Sequence, residues 1–162
     1  MVHFSVSHFP VIGFSGSRNK VSKIAARYIH TLAGSFLGSV LVGCAAGVDL
    51  TVRLAFPTAL VFQSASYQPH HLVKRSTKLV QSLKSSGGIL VAFPSVGCPS
   101  GVLPSKVFSG KGSGTWGTIA LAVGLGVPVL VYAPMAPVLP GLLQVAGSPG
   151  WYSFCPVQLS LF

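Results

Sequence analysis

Acidic side chains are almost absent from this chain. Among 162 residues there is one, Asp49, against eleven Lys and Arg, for a formal net charge of +10 at pH 7. A single carboxylate excludes paired Asp/Glu general acid–base catalysis within one chain. It equally excludes a magnesium or calcium site built mainly from carboxylates. Cysteine is scarce too, with Cys44, Cys98 and Cys155. Neither these nor the five histidines form a Cys-x-x-Cys or His-x-x-x-His spacing, which argues against zinc. No metal and no cofactor are therefore expected. Widely spaced, odd-numbered cysteines fit reduced thiols in a cytoplasmic protein better than a disulfide framework.

Charge is missing altogether from Gly112 onward. A membrane-spanning helix needs about 20 continuous apolar residues. Here Gly124, Gly126, Pro128, Pro134, Pro137 and Pro140 interrupt the run. A buried helix followed by a buried strand explains the hydrophobicity with less strain, so no stable membrane insertion is expected. No positive region precedes the first apolar residues, and no secretory signal is expected.

What the chain does have is positive charge, glycine and short apolar runs. An excess of cations suits a polyanionic partner such as nucleic acid. It also suits the plainer role of keeping an apolar protein soluble. The length fits one domain over 1–162. Apolar runs at Phe9–Phe14, Ser39–Val42, Ala59–Phe62, Ile89–Phe93 and Val127–Tyr132 read as strands. Helical spacing joins them. After an N-cap at Asn19, Val21, Ile24, Ala25, Tyr28, Ile29 and Leu32 share one face. Leu50–Phe56, His70–Lys84 and Ile119–Leu125 read as further helices. Strands alternating with helices predict an α/β fold: a Rossmann-like three-layer sandwich with a mostly parallel sheet of about five to six strands. The apolar, proline-rich tail over 133–162 is expected to pack on it. In that tail, Trp151–Phe154 and Val157–Phe162 read either as one more strand or as a partner-binding surface.

Three small-residue loops follow strands. They are Ser15–Arg18, Gly43–Asp49 and the segment Gly112–Thr118. In an open parallel sheet such loops share the rim where ligands bind. Glycine-rich backbone before a helix offers free N–H groups and the positive end of the helix dipole, a combination suited to phosphate. One pocket is therefore expected to bring together Ser17, Arg18, Gly43, Gly47, Ser113, Gly114 and Thr115. A plain tight turn before a packed helix is the alternative for the Gly112–Thr118 segment.

The same loops resemble the SLOG superfamily of Rossmann-like proteins. The resemblance is nearest to its DNA-processing protein A group of recombination mediators, with similarity to Lonely Guy-type nucleotide-binding proteins. It covers Val11–Tyr132. Gly16-Ser17-Arg18 looks like the early Gly-Ser-Arg turn. Val42–Asp49 is similar to the Ser-Gly-x-Ala-x-Gly-x-Asp segment, and Ser113–Thr118 to the last phosphate loop. The resemblance implies a phosphate site at Gly16, Ser17, Arg18, Gly43, Ala45, Gly47, Asp49, Ser113, Gly114, Thr115, Gly117 and Thr118. It implies single-stranded DNA or a nucleotide as partner, and binding rather than chemistry. Related hydrolases carry Glu three residues after their Gly-Thr, where this chain has Leu121. A nucleotide-signal sensor and a nucleotide N-glycosidic hydrolase are the rival functions, and a homo-oligomer is compatible with all three.

The side chains carry paired readings. Arg18 forks two donors onto a phosphate or is a surface charge. The hydroxyls of Ser17, Ser113, Thr115 and Thr118 bind phosphate or cap helices. Asp49 accepts from a ribose or base, or caps the helix at Leu50. Trp116 and Tyr67 stack on a base or pack in the core. Cys44 reads as a small packing residue. Lys20, Lys23 and Arg27 on one helix, with Lys74, Arg75 and Lys78 on the outer face of another, form ordinary solvated faces or supply longer-range attraction for phosphates.

Overall fold

A computed structural model describes residues 5–156. Val157–Phe162, the second candidate strand of the tail, lies outside the described residues. Strands β1 (Val11–Gly16), β2 (Ser39–Gly43), β3 (Leu60–Phe62), β4 (Ile89–Phe93) and β5 (Val129–Tyr132) run parallel. Helices α1 (Lys23–Ala33), α2 (Val48–Ala55), α3 (Pro69–Ser86) and α4 (Gly114–Gly124) connect them. Strands β6 (Leu143–Gln144) and β7 (Trp151–Phe154) then continue the sheet antiparallel at the β5 edge. The strand order is β3-β2-β1-β4-β5-β7-β6.

Strand alternation sorts the apolar side chains to two cores. Ile12, Phe14, Val40, Val42, Ile89 and Val91 point to one side, where Ala25, Ile29, Val48 and Val52 of α1 and α2 cover them. Leu41, Leu90, Ala92, Val129 and Val131 point to the other, under Leu79, Val80 and Leu83 of α3 and Ile119 of α4. These are the three layers of a Rossmann-like α/β fold. The central strands β1, β2, β4 and β5 are near-continuous hydrophobic runs because both faces are largely buried. Gly13 alternates toward α3, and a Cβ there would stand 2.6 Å from a Leu83 methyl. The missing side chain lets that helix pack close to the sheet.

Two features differ from the sequence reading. The sheet has seven strands and is mixed, because the tail adds β6 and β7. The helix ends also move. Ser22, not Asn19, caps α1, accepting from Ala25 N–H at 3.0 Å. Ser113 caps α4, accepting from Trp116 N–H at 3.2 Å. The glycine-rich segment therefore becomes helical at Gly114, and Thr115–Thr118 belong to the helix rather than to a loop. Small residues tolerate helix as well as loop here because Trp116–Val123 are all buried and packing decides the conformation.

The strand order reverses at β1, which has β2 on one side and β4 on the other. The chain leaves β1 and β4 toward opposite faces, so a crevice opens between their C-terminal ends.

Gly13→Val should overpack the β1–α3 contact. The expected loss is about 1–3 kcal/mol, read as a lowered midpoint in urea with an unchanged slope.

Candidate functional site

The crevice is a cavity of about 850 Å³, within the usual range for small-ligand sites. The end of β1 contributes Ser15 and Gly16, and the following turn contributes Ser17, Arg18 and Asn19. Gly43, Ala45 and Asp49 come from the β2–α2 connection, and Ser113, Gly114, Thr115 and Thr118 from the start of α4. Tyr67, Arg75 and Lys111 complete the polar wall. All three small-residue loops thus meet at one cavity. Gly47 and Gly117 stand behind the wall. Gly117 packs against Phe108 and Gly110, where a Cβ has no room.

The first turn is built around Ser17. Its Oγ accepts from Asn19 and Lys20 N–H, each at 3.2 Å. The hydroxyl thus shapes the turn and keeps its own proton to donate. The second loop is pinned onto the first, since Val48 N–H donates to the Ser17 carbonyl at 3.0 Å. Gly47 permits this with φ +67°, and a side chain there would run into the backbone of Ser17 and Arg18. Arg53 closes the same loop from α2, donating to the carbonyls of Gly43 at 2.9 Å and Ala45 at 2.8 Å.

At α4, the N–H groups of Gly114 and Thr115 precede any intrahelical acceptor. They stand with the positive end of the helix dipole at the cavity. Thr118 lines the cavity with its hydroxyl already engaged. It is buried and gives its hydroxyl to the Gly114 carbonyl at 2.8 Å. Trp116 is not a stacking residue: it is fully buried, with Nε1–H donating to the Val96 carbonyl at 2.8 Å. Tyr67 remains a stacking candidate, 71% exposed on the cavity wall.

Asp49 does not cap α2. It lies in the first turn, 5% exposed, and its Oδ2 accepts from Ala45 N–H at 3.2 Å. A Cβ on Gly43 would meet both this carboxylate and Arg75, so glycine keeps those groups close. Burial raises the Asp49 pKa above its ordinary 3.8 and outweighs the lowering by Arg75, Ala45 N–H, Arg53 and Arg18.

Arg75 is the main correction to the basic surface. Helical spacing assigns it outward with Lys74 and Lys78, which are indeed exposed. It instead lines the cavity and donates to Cys44 Sγ at 3.5 Å. Cys44 feels opposing effects. Burial works to raise its pKa, but hydrogen bonds from Arg75 and Ser64, with the Arg75 charge, bring the thiol below 9.0. Lys20, Lys23 and Arg27 are exposed around α1. Sequence reasoning missed the structural role of Arg53 and the cavity position of Lys111. The i, i+4 spacing of Asp49 and Arg53 was the available signal for the first.

A second cavity of about 780 Å³ opens at the other end of the sheet, near Phe36, Leu37 and Leu60. No charged side chain lines it. Among the described residues no group of three His, Cys, Asp or Glu is placed to hold a metal. No described helix is long and apolar enough to cross a membrane. Comparison with protein-family models and with curated proteins gave no match.

The Asp49 shift has a testable sign. A raised carboxyl pKa means the folded chain binds the proton more tightly than the unfolded chain. This group's contribution to stability is then full below the unfolded value, about 3.9, and is lost as pH rises through the folded value. Asp49→Asn does not titrate. Its melting temperature relative to the parent should climb as pH rises from about 3.9 through the folded value. A relative melting temperature that falls over that range would mean the arginines outweigh burial.

Proposed function

We propose that this protein binds the phosphate of a nucleotide, free or within single-stranded DNA, in the cavity between β1 and β4. The observation that carries the reading is convergence. Arg18, Arg75, Lys111 and the free N–H groups of Gly114 and Thr115 border one cavity at the reversal of strand order. Guanidinium groups and a helix N-terminus are complementary to phosphate oxygens. The Ser17 hydroxyl adds a donor, Tyr67 offers a face to the base, and Asp49 is an acceptor for a ribose or base. The resemblance to DNA-processing recombination mediators points the same way, and the widely spaced, unpaired cysteines suit a cytoplasmic setting.

Binding is the whole activity in this reading. Asp49 is the sole side-chain carboxylate of the chain, so no second acid or base of its kind is available to activate water. The rival that a specific observation favours is N-glycosidic cleavage. Asp49 lines the cavity with a pKa raised by burial, a property suited to protonating a departing base. Release of free base from nucleoside monophosphates, lost in Asp49→Asn, would favour that rival. No release is expected.

The binding test is a titration of single-stranded DNA at several salt concentrations, with a mononucleotide alongside. DNA affinity should fall with a log–log slope of about −0.7 per neutralised phosphate. Arg18→Ala should cost about 1.5–3 kcal/mol, as for a lost charge-assisted hydrogen bond. Lys74→Ala or Lys78→Ala should weaken binding modestly and flatten the slope. Saturation by a mononucleotide without detectable DNA binding at low salt would replace this reading with that of a small-nucleotide sensor.

A further inference from the structure

The tail strand gathers four aromatic rings on the α1 face of the sheet. Trp151 opens β7 and pairs with Tyr132, the last residue of β5. Its ring lies 4.9 Å from Tyr28 of α1, 5.1 Å from Tyr132 and 6.0 Å from Phe93, centroid to centroid. Phe93 is buried, while Tyr28, Tyr132 and Trp151 are each partly open to solvent. Phe93 and Tyr132 end β4 and β5, so the cluster reaches the rim where ligands enter an open α/β sheet.

The surroundings identify what such a surface suits. Phe93 ends β4, and its carbonyl accepts from Ser17 N–H at 3.1 Å. The backbone seam that bears the ring cluster is thus the seam that forms the cavity wall. On α1, 100° steps put Ile24 between Tyr28 and Arg27 around the helix, with Lys23 just beyond. Ile24 is 45% exposed, and Arg27 and Lys23 are exposed. The aromatic surface is therefore bordered by cations on α1, and the Phe93 carbonyl ties it to the Ser17 turn of the cavity.

We propose that the Trp151–Tyr132–Tyr28 surface is a base-stacking subsite for a single-stranded nucleic acid whose neighbouring phosphate occupies the cavity. The proposal rests on the cavity reading above and extends it from a phosphate to a polymer. Every base has a π face, so the rings accept any sequence, while Lys23 and Arg27 follow the backbone. A mononucleotide fills the cavity alone, whereas a strand of several nucleotides reaches both subsites.

The test compares thymidine monophosphate with an oligodeoxythymidylate of about ten nucleotides, a length within the usual span of single-strand sites. Calorimetry gives the affinities. Tryptophan emission reports the subsite, because Trp116 is fully buried and Trp151 is the partly open indole. The oligonucleotide should bind about five- to a hundredfold tighter for each stacked base and quench emission. The monophosphate should bind without quenching. Trp151→Leu should remove the oligonucleotide's advantage and leave monophosphate affinity unchanged.

Trp151 also packs against α1, so a variant of exposed residues supplies the same information without risk to the fold. Lys23→Ala with Arg27→Ala should lower oligonucleotide affinity and flatten the salt slope by about 1.4, two contacts' worth, again sparing the monophosphate. Equal affinity for both ligands without quenching would overturn the subsite and leave the cavity reading standing. Quenching by the oligonucleotide with no monophosphate binding would overturn the cavity reading and with it the two-subsite proposal. Binding of neither would overturn both.

Discussion

The candidate site depends on one backbone hydrogen bond, from Val48 N–H to the Ser17 carbonyl at 3.0 Å. It fastens the start of α2 to the turn that follows β1. Arg18 extends from that turn, and Asp49 follows Val48 in the helix. The bond therefore sets the distance between the leading cation of the cavity and its single carboxylate. It forms because Gly47 occupies φ +67° with no side chain to meet the Ser17 carbonyl. Gly16 helps in a different way: a Cβ there would stand 2.5 Å from a Val48 methyl. The small residues of these two loops are explained first by close approach of backbone to backbone. The cavity is the space that approach leaves open.

Electrostatics follows from the shortage of acids. In most proteins arginines are neutralised by carboxylates nearby. Here Arg18, Arg53 and Arg75 share the field of Asp49 alone, and burial raises the Asp49 pKa despite them. Arg53 is occupied by the Gly43 and Ala45 carbonyls. Arg18 and Arg75 stay on the cavity wall with charge to spare, beside the positive end of α4. Such an arrangement favours an anion entering from solvent, with the longer-range field of a +10 chain behind it.

Most of the parallel sheet was legible because its strands are buried on both faces and read as unbroken apolar runs. Ile89–Phe93 coincides with β4, and the rim position of the three loops follows from alternating strands and helices. Where the sequence left alternatives open or misplaced a side chain, the causes are physical. Trp151–Phe154 mixes rings with a serine, so its pattern does not separate a strand from a surface patch; pairing with β5 decides it. Trp116 lies among residues typical of loops, yet Ser113 caps the helix and turns the indole into the core. Arg75 has the spacing of a solvated lysine face. The 18-residue α3 overhangs the rim, however, and its N-terminal flank faces the cavity, which spacing along a helix cannot reveal. The part of the site that sequence reported best was the backbone of the loops. The part it reported worst was the direction of long side chains.

Amide chemical-shift mapping during titration with a nucleoside monophosphate addresses the central claim most directly, because the claim names particular N–H groups. Saturable shifts are expected at Arg18, Gly114 and Thr115 with one common binding constant, weakened together by Arg18→Ala. Saturable shifts confined to the far end of the sheet, around Leu37 and Leu60, or no saturable shift at Gly114 and Thr115, would contradict it.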